Sequence, residues 1–205
     1  MTNHSLFASG VFALALALQP AAVFAQNGAR IDVPHVPANL TVPEGHDVYL
    51  EGRAFGTQNY ICMPAATGAA WKFLGPQATL FLATRPFQQQ FATHYLSPNP
   101  VEQGTPRATW QHSFDSSAVW ARAVASSTDA NYVAPGAIPW LLLEAVGEAN
   151  GPTGGSTLSR TTYIQRVNTE GGIAPAAGCS DATQAGALAL VPYSTDYFFY
   201  RAARP

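Results

Sequence analysis

From Arg107 to Phe114 the chain changes character at every step. Ala108, Trp110, His112 and Phe114 fall on one side, and Thr109, Gln111 and Ser113 on the other. A period of two belongs to a half-buried strand, because successive side chains of an extended chain point to opposite faces. The same period appears at Val48, Leu50, Gly52 and Ala54, set against Tyr49, Glu51 and Arg53. No stretch carries a convincing long helical period. Such a chain buries its apolar faces sheet against sheet, or by closing one sheet on itself.

In order, the expected strands are 47–54, 59–63, 71–74, 79–83, 87–96, 107–114, 119–124, 138–143, 161–168 and 188–201. Gly56 and Gly75-Pro76 read as turns between the first four. Phe87, Phe91 and Tyr95 are four apart, a spacing that fits a strand or a helix, and a strand is preferred there. Asp115-Ser116-Ser117 makes a hairpin turn between two strands. Ile138 to Leu143 is continuously apolar, as in a strand buried on both faces, with a short helix from Pro139 as the alternative. Asn150 to Ser156 holds three glycines and a proline and reads as a flexible hairpin loop. The fold class is therefore all-β, a single antiparallel β-sandwich or barrel-like domain of about ten short strands.

Residues 1–25 read as a signal peptide: an apolar run from Leu6 to Leu18, then Val23-Phe24-Ala25 before Gln26. Residues 26–46, with Pro34, Pro37 and Pro43, form an extended lead-in, and 47–205 the β-domain. The expected localisation is secreted or periplasmic, with no membrane span after signal cleavage. The charge balance is near neutral at −2, and Lys72 is the only lysine. With no basic patch, nucleic acid is a poor partner. In an oxidising compartment the two cysteines, Cys62 and Cys179, most simply pair with each other. Two buried free thiols are the alternative.

A second organising stretch runs from Thr161 to Cys179, where a strand ends in Asn168-Thr169-Glu170-Gly171-Gly172. Arg166 to Gly172, then Ala174-Pro175 and Gly178-Cys179, resembles the signature of a family of exported bacterial and fungal proteins catalogued as a domain of unknown function. Val191-Pro192-Tyr193 and Asp196 to Tyr200 match the closing signature of that family, and Tyr60-Ile61-Cys62 and Ala137 to Leu143 also fit. The likeness covers most of Leu40 to Arg201. It departs in the middle, where a proline-rich insertion separates His94-Tyr95 from Trp110 and the turn is Asp115-Ser116-Ser117. The resemblance implies little about activity. Some fungal members carry a malate dehydrogenase label, but this chain has no Gly-x-Gly-x-x-Gly after a strand and no βαβ alternation, so the dehydrogenase reading is rejected.

Among candidate sites, His94 and His112 come from neighbouring strands, and His46 precedes the first. Imidazoles suit zinc, copper or nickel, though the spacing matches no metal signature and His112 shares a face with Trp110 and Phe114, as a core histidine would. Asp115, Ser116 and Ser117 near His112 read as an Asx-turn rather than as a triad. Trp71, Trp110, Trp120 and Tyr197 are candidate platforms for a sugar, with core packing as the alternative for each. Arg166, Asn168, Thr169, Gly171 and Gly172 read as a structural turn, in which Arg166 is held by carbonyls or a carboxylate; anion binding by Arg166, Asn168 and Thr169 is the other reading. No cofactor is predicted. Three functions remain open: a non-enzymatic exported protein that binds glycan or cell-envelope material, a metal-dependent enzyme using His94 and His112, and a structural or protein-interaction module.

Overall fold

The computed structural model describes residues 30–83 and 89–204. Residues 1–25, expected to be a signal peptide, lie outside the described residues. Eight strands follow one another: β1 (His46–Pro64), β2 (Ala69–Leu82), β3 (Gln90–Asn99), β4 (Thr105–His112), β5 (Ala118–Ser127), β6 (Trp140–Ala149), β7 (Tyr163–Gly171) and β8 (Leu188–Ala202). Each pairs antiparallel with the next, and β8 returns to β1, so the sheet closes into a barrel. The domain is all-β, and of the two expected forms the barrel is the one realised. Among the described residues helical structure amounts to three short turns, and no helix is long and apolar enough to cross a membrane.

Two of the expected turns are bends inside strands, which is why about ten short runs become eight strands. At Gly56 a Cβ atom would meet the Gln77 carbonyl oxygen at 2.1 Å and Ala78 Cα at 2.5 Å. Glycine there lets β1 and β2 close up. Gly75, at φ 145°, sits where the β1–β2 register shifts between Asn59 and Tyr60. A glycine within a strand marks a bulge or a close backbone approach, and from sequence either looks like a chain reversal. The expected β4–β5 hairpin forms, but β4 stops at His112, so Phe114 is 68% exposed rather than on the buried face.

The apolar surface is buried in two places. Inside the barrel lie Leu80, Phe91, Trp110, Val119, Leu143, Ile164, Tyr197 and Phe199. Outside it, Trp140, Leu142, Val167, Phe198 and Tyr200 are covered by the lead-in through Leu40, Ile31, Val33 and Val36. Alternate residues of Ile138 to Leu143 thus feed both cores, the pattern expected of a strand buried on both faces. The lead-in makes no strand of its own. It is tied down where Gln165 Nε2 donates to the Leu40 carbonyl at 2.7 Å and Tyr200 OH donates to Gln165 Oε1.

A meander of eight strands sorts its connections to two ends. One end carries the β4–β5 and β6–β7 connections and both chain termini of the barrel. The other carries the β1–β2, β3–β4, β5–β6 and β7–β8 connections. At this second end Cys62 of β1 is bonded to Cys179 of the β7–β8 connection.

Candidate functional site

Inward positions on six strands converge near the second end: Gln58 on β1, His94 and Leu96 on β3, Ala108 and Trp110 on β4, Leu141 and Leu143 on β6, Arg166 on β7 and Tyr197 on β8. An eight-stranded barrel is about wide enough for its own side chains, or for these plus one small ligand. Here Ala108, Ala121 and Ala123 are too small to fill the space, and a cavity of about 400 Å³ remains, opening between Phe73, Pro106 and Arg107. That is the lower part of the range in which small-molecule sites fall. A larger, open hollow of about 740 Å³ runs along β1 to β3 past Phe55, Leu74 and Tyr95, and holds none of the unpaired polar atoms described below.

The floor is aromatic. The His94 ring stacks on Trp110 with centroids 4.1 Å apart and planes 11° apart, and Tyr197 meets both edge-on at 5.3 Å. His94 Nδ1 lies 2.9 Å from the Thr109 carbonyl oxygen. A carbonyl only accepts, so Nδ1 carries the proton and Nε2 is left as an acceptor. Burial lowers the His94 pKa to about 3; the Thr109 bond opposes this and the Arg166 charge adds to it. The imidazole is neutral at physiological pH.

Around this floor, buried polar atoms lack partners. Among the described residues Gln58 Nε2, Trp110 Nε1, Tyr193 OH and Tyr197 OH find no hydrogen-bond partner. Tyr193 lies within loose hydrogen-bonding reach of Tyr197 and Gln58, and Tyr197 of Tyr193 and Arg166, close enough to influence their ionisation, but among the described residues neither hydroxyl nor the Gln58 amide nitrogen meets full hydrogen-bond geometry. Burial raises both tyrosine pKa values, which keeps the hydroxyls protonated as donors. An unpaired buried polar group costs about 1–3 kcal/mol, so three on residues that line one cavity, with Tyr193 behind them, is a concentrated cost. Arg166 Nε and Nη2 donate to the Pro139 carbonyl at 3.2 and 2.8 Å. Among the described residues no carboxylate lies within ion-pair distance of Arg166.

The remaining residues singled out from sequence lie elsewhere. Trp71 is half-buried at the start of β2, with Nε1 donating to the Ala177 carbonyl at 3.2 Å. Trp120 lies on the outer face of β5, with Nε1 donating to Ser97 Oγ at 2.8 Å. His112 faces the first end of the barrel, where Nδ1–H donates to Asp115 Oδ1 at 2.8 Å. His46 lies at that end too, 2.8 Å from Thr162 Oγ1. Among the described residues no three His, Cys, Asp or Glu side chains converge. Asn168, Thr169, Gly171 and Gly172 form a bulged strand end rather than a turn. Asn168, at φ 51°, donates to Asp196 Oδ2, and Thr169 Oγ1 donates to the Ile138 carbonyl. A Cβ at Gly172 would meet Ile138, Tyr193 and Gln58 side chains at 3.0–3.1 Å, so this glycine lies against the residues behind the cavity. Gln58 and Tyr193 escape sequence reading, because the first sits in a polar run that reads as a turn and the second among many aromatics of one strand.

The molecule is thus an up-and-down antiparallel barrel that keeps a ligand-sized cavity above an aromatic floor. A family model described as a protein of unknown function, DUF3455, matches residues 43–201, and the chain belongs to that family. The match takes in nearly the whole barrel. No curated protein and no solved structure matches the chain.

Proposed function

We propose that the protein is an exported, non-enzymatic binding protein that holds one small molecule inside its barrel. The observation that carries this reading is the set of unpaired buried donors, Gln58 Nε2, Trp110 Nε1 and Tyr197 OH, around a cavity of about 400 Å³. A ligand that met them would recover hydrogen bonds that the folded chain alone forgoes. Binding without catalysis is supported by the lining, which holds no carboxylate, cysteine, serine or lysine to act as nucleophile or general base. His94, the imidazole in that lining, keeps Nε2 as an acceptor, but burial lowers its pKa to about 3, which makes it a weak base. A glycan laid on a flat platform needs exposed ring faces, whereas Trp110 and Tyr197 are fully buried. The geometry therefore favours a molecule small enough to enter. Export is supported by the leader pattern of residues 1–25 and by the Cys62–Cys179 disulfide, which suits an oxidising compartment.

The test uses the neutral aromatic 2-naphthol on the oxidised protein, read by tryptophan fluorescence and melting temperature. Binding to the native state alone stabilises it by about 2.7 kcal/mol at a hundred times the dissociation constant. The expected result is a saturable rise in melting temperature that is lost in Ala108→Phe, which fills the cavity mouth. Absence of any rise up to the solubility limit, or equal binding by the folded Ala108→Phe protein, overturns the reading.

A further inference from the structure

We infer that the molecule held in the barrel carries a single carboxylate, which Arg166 receives on the free edge of its guanidinium. The inference rests on the binding reading above and assigns the chemistry of its ligand. Three arginines line the cavity, Arg107, Arg122 and Arg166, and no acidic residue does. This is a local excess of positive charge in a chain whose net charge is −2 with only ten basic residues. Two of the three are answered within the protein. Arg107 makes a two-point contact with Glu102, its Nε and Nη2 each 2.7 Å from a carboxylate oxygen, and Arg122 pairs with Glu144 at 2.8 Å. Arg166 has no such partner among the described residues, although it is half-buried and deeper in the barrel. A charge withdrawn from water is ordinarily paired, because desolvation penalises it heavily.

The guanidinium is also held in one orientation. Its Nε–Nη2 side is fixed on the Pro139 carbonyl. Nη1 makes no hydrogen bond among the described residues, and Nη1–H with the outer Nη2–H, on a guanidinium that lies beside Tyr197, presents two parallel groups that match the two oxygens of a carboxylate. Gln58 and Tyr197 line the cavity with Arg166, and the Arg166 charge is felt at both Tyr197 and Tyr193. His94 stays uncharged, so the deep part of the cavity offers one positive charge, which one carboxylate neutralises. A phosphate dianion would leave a surplus negative charge in the barrel. Leu96, Leu141, Leu143 and Phe73, with the stacked His94–Trp110 pair, provide the apolar wall for the rest of the molecule.

The experiment compares 2-naphthoate with 2-naphthamide, which has nearly the same shape and no charge. Wild-type protein is expected to bind the carboxylate about 10- to 100-fold more tightly, the range of a charge-assisted hydrogen-bonded pair. Arg166→Gln should erase that preference while the amide still binds. Arg201→Gln, which removes a charge at the far end of the barrel where Arg201 lies over the Tyr49 ring, should keep the preference. Equal affinity of wild type for the two probes overturns the assignment and leaves the binding reading intact. A preference that survives Arg166→Gln overturns it as well. If neither probe nor 2-naphthol binds, the binding reading falls, and this inference with it. Should Arg166→Gln not fold, the wild-type ratio together with Arg166→Lys decides: Lys keeps the charge without the two-point fork, so a preference undiminished in Lys overturns the fork.

Discussion

The two ends of this barrel solve the same problem in opposite ways. At the end that carries the β4–β5 and β6–β7 connections, both oxygens of one carboxylate are fully used. Asp115 Oδ1 accepts from Ser117 N, Ser117 Oγ and His112 Nδ1 at 2.7–2.9 Å, and Oδ2 accepts from Thr157 N and Oγ1 at 3.0 and 2.7 Å. Ser117 Oγ in turn accepts from Leu158 N at 3.0 Å, which sets Leu158 into the inner core. These bonds hold the Asp115 carboxyl well below its ordinary pKa even though partial burial raises it. At the other end a hydroxyl, an amide and an indole, on residues that line the cavity, lack partners among the described residues, and the Arg166 guanidinium is held only on the Pro139 carbonyl. The first end is finished by the chain itself. The second is held shut at its edge by a disulfide and left chemically incomplete inside, the pattern expected where local stability is given up for a ligand.

Removing the network at the closed end should have the largest effect. Asp115→Ala strips five hydrogen bonds from the β4–β5 turn and the 150–161 loop and should cost about 3 kcal/mol. For a chain of this size that lowers the melting temperature by roughly 6–12 °C. The closed end has no part in the cavity, so 2-naphthol affinity measured well below the new melting temperature should change less than about twofold. A large loss of affinity would mean that the ends are coupled and the contrast is wrong.

Acid should act on the open end through His94. Its folded pKa, lowered to about 3 by burial, lies below the ordinary unfolded value near 6.5. The unfolded chain therefore takes up the proton first as the pH falls. The stability tied to the neutral ring is complete above about pH 6.5 and is lost progressively down to about pH 3. At pH 5 the loss is about 2 kcal/mol. Denaturant titrations at pH 7 and pH 5 should show this slope in the wild type and a flatter one in His94→Gln; identical slopes would mean that the ring is not buried neutral.

Much of this arrangement is legible before folding. Alternation alone puts Trp110 on one face of a half-buried strand, and the same period places β1 and β4, while β5 follows as the return strand of a hairpin. A period of two cannot say whether a buried face looks into a closed barrel or onto a second sheet, so the rings of Trp110 and Tyr197 read as core, with a platform as the other reading. Closure is a long-range property of the β1–β8 pairing, in which residues such as Ala54 and Thr195 meet across most of the chain. Glycine misleads in a consistent way. Gly56 reads as a reversal and Gly151 to Gly155 as a flexible loop, yet a Cβ at Gly151 would meet the Asp115 carbonyl oxygen at 1.6 Å and one at Gly155 would meet Asp115 Cβ at 2.3 Å. Those glycines are there for close approach, which depends on a partner far away in sequence. Arg166 is visible as a special residue, and its carbonyl partner is anticipated. What sequence could not supply is the absence of a carboxylate beside it, since that depends on what the other seven strands turn inward.

The smallest effect discriminates best between the two ends of the contrast, because it sets a satisfied tyrosine against an unsatisfied one on the same strand. Tyr200 and Tyr197 both lie on β8 and are both buried, at 7% and 0% exposure. Tyr200 OH donates to Gln165 Oε1, which helps to hold the lead-in against the outer core. Tyr197 lines the cavity, and its OH, buried beside Tyr193 and Arg166, makes no hydrogen bond of full geometry among the described residues. Phenylalanine at either position keeps the ring and removes only the hydroxyl. Tyr200→Phe should therefore destabilise by about 1 kcal/mol, the net worth of a hydrogen bond plus the amide oxygen left without its donor. Tyr197→Phe should be neutral or stabilising by up to about 1 kcal/mol in the ligand-free protein, because it deletes an unpaired polar group. The same substitution should weaken 2-naphthoate binding several-fold. Stability gained and affinity lost on removing one oxygen atom is what a group reserved for a ligand must produce. Equal destabilisation by both substitutions would mean that Tyr197 OH has a partner in solution and that the open end is as complete as the closed one.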